Sequence, residues 1–168
     1  AVSNEKKWVI VVSQQEGLAP HKNMIVDTLN NTFSTIKNKS VFLFRLKTGN
    51  ADWVLDNQET DNTMMYQKIN EIPMNQSIED PVSPLKSISN RINNKDLGGV
   101  LYITAELTAG IDFSDRILTP LQWNRDNIPF WILTTKRQDC DFWTKNALVK
   151  QCKDISELNN QLNNFLHP

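Results

Sequence analysis

The chain of 168 residues is 39% hydrophobic and 22% charged, with 18 Lys and Arg against 19 Asp and Glu. That length and composition suit one α/β domain over residues 1–168 with a full-sized core. Charge so evenly balanced supplies no basic stripe for a phosphate backbone, and no apolar run approaches the ~18 residues of a membrane span, so nucleic acid and direct membrane insertion are both argued against.

Residues 8–12 (Trp8-Val9-Ile10-Val11-Val12) form a continuous apolar run, the pattern of a parallel strand covered on both faces. Beyond Pro20, Ile25, Leu29, Phe33 and Ile36 recur at helical spacing. Val41 to Phe44 and Trp53 to Leu55 are predicted as strands two and three. The connection Thr48-Gly49-Asn50-Ala51 is too short for a crossover, so strand three is expected to run antiparallel. Met64, Met65, Ile69 and Ile72 predict a short helix, and the proline-bearing stretch Pro73 to Pro84 a loop. Ser83-Pro84 opens a helix with Leu85, Ile88 and Ile92 on its buried face.

Gly98-Gly99 leads into strand four, Val100 to Ile103. A helix is predicted around Ile117, Leu118 and Leu121, then strand five at Phe130 to Leu133. Asp141 to Asn146 reads as one or two helical turns, and Ala147 to Val149 as a sixth strand. Asp154 is expected to cap a last helix with Ile155, Leu158, Leu162 and Phe165 facing inward.

Few residues point to chemistry. The turn after strand one, Ser13-Gln14-Gln15-Glu16-Gly17-Leu18, has a single glycine and makes a poor phosphate cradle. The two histidines, His21 and His167, sit at a helix start and beside the chain end, neither at a strand's carboxyl end where a nucleophile's base belongs. No catalytic residue and no cofactor is therefore assigned. Cys140 and Cys152 fit no zinc spacing, which leaves two free thiols in a cytosolic protein or a disulfide in an extracytoplasmic one. Trp123 and Trp143, outside the strands, are candidate anchors for a protein partner, with burial under a neighbouring helix as the alternative.

This order of elements resembles a von Willebrand factor A domain, and Gly98-Gly99-Val100-Leu101-Tyr102-Ile103-Thr104 and Ile128-Pro129-Phe130-Trp131-Ile132 look like that family's fourth and fifth strands. Lys153-Asp154-Ile155-Ser156-Glu157-Leu158 resembles its last strand-to-helix junction. The resemblance implies a doubly wound, Rossmann-like three-layer sandwich. Its mostly parallel six-stranded sheet would have the order 3-2-1-4-5-6, with strand three antiparallel at the edge.

Cation-binding members of that family carry a metal-ion-dependent adhesion site. It comprises aspartate-x-serine-x-serine after strand one, a threonine before the third helix and an aspartate after strand four. Aligned on the strand ends, Ser13 stands at the first aspartate, Gln15 and Gly17 at the two serines, and Ala105 at the last aspartate. Asp80 and Ser83 lie near the threonine position without matching it. The implied site is therefore degenerate, and no metal is assigned.

In the implied order strands five and six are parallel neighbours, so Cys140 and Cys152 emerge on the same side of the sheet, within reach of a disulfide. That tilts localisation toward the periplasm or cell exterior, with the cytoplasm as the alternative. The family's partners imply another protein as the ligand. The crevice between strands one and four then assigns Ser13, Gln14, Gln15, Glu16, Thr104 and Glu106 to the binding surface, with Trp143 as a second anchor. The function expected is a metal-independent, non-catalytic interaction module within a larger extracytoplasmic protein or complex. Two alternatives are an enzyme or small-ligand binder using Asp80, Glu106 and Asp112, and a spacer domain in a longer chain.

Overall fold

The computed structural model describes residues 5–47, 50–77, 82–106, 121–144 and 149–167, with the side chains of 82–83 and 142–144 excepted. Six strands form one sheet: β1 (Lys7–Ser13), β2 (Ser40–Lys47), β3 (Asn50–Asp56), β4 (Leu97–Thr104), β5 (Phe130–Thr134) and β6 (Gln151–Asp154). Their order is β3-β2-β1-β4-β5-β6. Every neighbouring pair is parallel except β2 with β3, which is antiparallel. Fold class, strand order and the reversed edge strand agree with the sequence reading.

The period of two along β1 divides the core. Ile10 and Val12 face one layer with Leu43, Leu101, Ile103 and Leu133. Val9 and Val11 face the other with Phe44, Val100, Tyr102, Phe130 and Ile132. Both faces of the central strands are thus buried, which is why they read as unbroken apolar runs.

The first layer is closed by the helices α1 (Lys22–Thr35), α2 (Asn62–Asn70) and, at the chain's end, α5 (Leu158–Leu166). The second is closed by α3 (Val82–Arg91), the turns around Trp123 and α4 (Asp139–Thr144). Glycine is required where β4 passes under the aromatic residues. A Cβ at Gly98 would lie 2.8 Å from the Trp8 ring, and one at Gly99 would lie 2.9 Å from Phe165.

Some expectations about the elements need correction, are decided by burial, or fall outside the described residues. Strand six lies at Gln151–Asp154 rather than at Ala147 to Val149; of those three, Val149 is buried and precedes the strand, and 147–148 are outside the described residues. A 3-10 turn over Glu16–His21 contains Pro20, so α1 begins only at Lys22. Trp123 is fully buried, in edge-to-face contact with Phe130, so it anchors the core instead of a partner. The helix expected around Ile117 and Leu118 lies outside the described residues.

Candidate functional site

β1 and β4 are the neighbours where strand order reverses, and their carboxyl ends, Ser13 and Thr104, open the crevice in which doubly wound sheets bind ligands. The chain leaves β1 through Gln14 and Gln15. There it meets a returning segment: Gln15 and Gln76 form a parallel bridge, Gln76 N–H donates to the Gln14 carbonyl at 2.9 Å, and Glu16 N–H donates to the Gln76 carbonyl at 2.7 Å. The Gln76 side-chain amide also donates to Gln14 Oε1 at 2.9 Å.

Gln15 reaches the other way, across the crevice to the loop after β4. Its Oε1 accepts from the Thr104 hydroxyl at 3.2 Å, from Ala105 N–H at 3.0 Å and from Glu106 N–H at 2.9 Å. Its Nε2 donates to the Glu106 carbonyl at 3.1 Å. One side-chain amide thus pairs with both backbone groups of Glu106, as a neighbouring strand would. The Ser13 hydroxyl oxygen accepts from Gln15 N–H at 3.2 Å, which holds the turn that aims the side chain.

The next loop completes the floor. The Ala105 carbonyl accepts from the Thr134 hydroxyl at 3.0 Å and from Thr135 N–H at 3.2 Å. Lys136 pairs with the Glu106 carboxylate at 2.5 Å. At the end of β6 the Asp154 carboxylate accepts from Ser156 N–H at 2.9 Å. The hydrogen bonds from Ser156 hold its pKa below the ordinary aspartate value, with smaller help from the positive charges of His21 and Arg137.

The residues assigned to a binding surface therefore occupy two levels. Ser13, Gln14, Gln15 and Thr104 are almost wholly buried and make the floor. Glu16 is exposed, and the half-exposed pair Glu106 and Lys136 stands beside it as a rim. Sequence reasoning missed Gln76, Thr134, Thr135 and Lys136. The polar residues Thr134, Thr135 and Lys136 at the end of β5 are a signal of the same kind as those after β1 and β4, whereas Gln76, in the segment between α2 and α3, carries none. The side chain of Trp143, and all of Asp80 and Asp112, lie outside the described residues. Among the described residues, no three His, Cys, Asp or Glu gather as a cation site.

Cys140, in α4, and Cys152 form a disulfide with a Cα–Cα distance of 5.2 Å. Cys152 lies within β6 opposite Ile132, not beyond the strand end as expected, and Cys140 descends on it from α4. Both cysteines are buried in the second core layer.

The architecture has solved counterparts. A von Willebrand factor type A structure from Catenulispora acidiphila superposes over 94% of this chain with a TM-score of 0.60 at 10% identity. The fold is that of a von Willebrand factor A domain. An aerotolerance-related membrane protein from Bacteroides fragilis matches this chain over 96% of its length, with a TM-score of 0.65 at 10% identity, and is itself 97% covered. Proximal thread matrix protein 1 from the mussel byssus, in a form with a zinc-occupied MIDAS motif, matches over 96% with a TM-score of 0.63 at 9% identity. This chain spans only 41% of the Catenulispora chain and 47% of the byssus chain. At the level of sequence, no family model and no curated protein matches it.

Proposed function

We propose that this A-type domain is a non-catalytic, metal-independent protein-binding module that works outside the cytoplasm as part of a larger protein or complex. The observation that carries the reading is the charged rim of the crevice between β1 and β4, which forms a crest at the carboxyl end of the sheet. There Glu16, Glu106 and Lys136 stand on a floor already cross-linked by hydrogen bonds. The Glu106–Lys136 pair is already formed before a partner docks, which limits the conformational entropy those two side chains lose, and charges of both signs select partners by complementarity. The partner is another protein.

The disulfide supports an oxidising setting, because such bonds persist in the periplasm or outside the cell and are rare in the cytosol. The likeness to a byssus thread matrix protein and to a membrane protein is in keeping with that placement.

The test is charge reversal on the rim. Glu16→Arg with Glu106→Arg should abolish capture of the partner from a native extract while leaving the circular dichroism spectrum and melting temperature near those of the parent. A control reversal at Glu59, exposed beyond β3, should leave capture intact. Equal capture by all three proteins would remove the crest as the interface.

A further inference from the structure

The von Willebrand factor A fold implies a divalent cation between the loops that follow β1 and β4, and the groups present here do not fit one. Three donor hydrogens, from the Thr104 hydroxyl and the N–H groups of Ala105 and Glu106, converge on a single point, which Gln15 Oε1 occupies. A hard cation requires the reverse, several oxygen lone pairs directed inward and carboxylate charge to offset its desolvation. N–H groups turn the positive ends of their dipoles toward that point and would repel an ion.

The nearby oxygens are already engaged. The Ser13 hydroxyl oxygen accepts from Gln15 N–H, and the Glu106 carbonyl takes Gln15 Nε2. The Ala105 carbonyl serves Thr134 and Thr135, and the Glu106 carboxylate serves Lys136.

We infer that the side-chain amide of Gln15 does in this domain what a cation does in a metal-bound relative: it ties the β1 loop to the β4 loop and fixes the crest. The tie is neutral, so it needs no counter-charge, and it is covalently part of the chain, so it forms on folding whatever the ion concentration. Its oxygen accepts from three donors and one N–H of its amide donates to a carbonyl, so both ends of the side chain are engaged. Removing it strands the donors of Thr104 and Ala105, both in buried residues, which costs more than the bond itself contributes. This deepens the metal-independent part of the proposed function by giving its cause. It concerns the free domain, so its readouts stand or fall without any partner.

Two measurements test it. In chelator, hydrogen exchange on the unaltered domain should show the Ala105 and Glu106 amides protected, with the melting temperature moved by less than about 1 °C on adding millimolar magnesium, calcium, manganese or zinc. Gln15→Met keeps the volume and removes the hydrogen bonds. It should speed exchange at those two amides by about tenfold or more and lower the melting temperature by several degrees. A cation that raises the melting temperature of the unaltered domain by several degrees would overturn the inference. So would a Gln15→Met variant with unchanged exchange and stability, since packing alone would then explain the residue. If that variant does not fold, the exchange and cation measurements on the unaltered domain decide the matter.

Discussion

Gly17 and Ala105 stand in close contact across the crest: a Cβ added at Gly17 would lie 2.7 Å from the Cβ of Ala105. The two loops that Gln15 joins by hydrogen bonds therefore also touch through their smallest residues. Bulk at either position would push apart the atoms that hold the bonds at 2.9 to 3.2 Å.

Gly17→Ala should destabilise the domain by about 1–3 kcal/mol, because neither Cβ has a flexible end that can yield. Adding Ala105→Gly to that variant should restore part of the loss, despite the roughly 0.5–1 kcal/mol that the extra glycine costs by itself. Urea unfolding of both single variants and the double variant checks this. A double variant whose loss equals the sum of the two single losses would mean that the contact does not set the spacing.

The disulfide closes a loop with a sequence separation of 12 residues. In the chain-entropy account a loop of this size stabilises by about 3 kcal/mol. Replacing Cys140 and Cys152 with alanine should lower stability by that order. Thiol titration of the unaltered protein under denaturing, non-reducing conditions should find no reactive thiol. Two reactive thiols per chain would remove both the bond and the compartment inferred from it.

Asp154 ends β6 and caps the turn Ile155–Glu157. Its pKa is lowered in the folded state, chiefly by hydrogen bonds from Ser156 and further by His21 and Arg137. A depressed carboxylate stabilises the fold fully above its unfolded value, near 4, and loses that contribution as the pH falls through the lower folded value. Asp154→Ala should therefore cost about 1 kcal/mol at pH 7, the usual worth of a cap, and progressively less below about pH 4. Denaturant unfolding at pH 7 and pH 3 gives the comparison. A cost that does not shrink in acid would show that the charge is not what caps the turn.

The sheet was legible because its central strands, buried on both faces, announce themselves as apolar runs, and because two residues between β2 and β3 leave room only for a hairpin. β6 misled for the opposite reason. It is an edge strand with Cys152 as its one buried residue, so its neighbour Val149 carried the stronger apolar signal. The crevice could be placed from strand order, and Glu16 at its edge is exposed.

The tie across the crevice was not legible. Gln15 and Glu106 are 91 positions apart, and a glutamine bonded to distant backbone leaves no periodicity in the sequence. Read locally, Gln15 was a missing serine of a cation site; in three dimensions it is the group that fills the point where the donors converge. Trp123 had two readings, a partner anchor or a buried residue, because it falls among the polar residues Asn124, Arg125 and Asp126; burial holds, with its ring wholly enclosed against Phe130.

The central claim is that the crest receives a protein without an ion. The most direct measurement is capture of the partner by the immobilised domain, run in parallel in chelator and in millimolar magnesium, with Glu16→Arg, Glu106→Arg protein as the blank. Equal capture in the two buffers and none on the blank is the expected result. Capture that appears only with magnesium would contradict it.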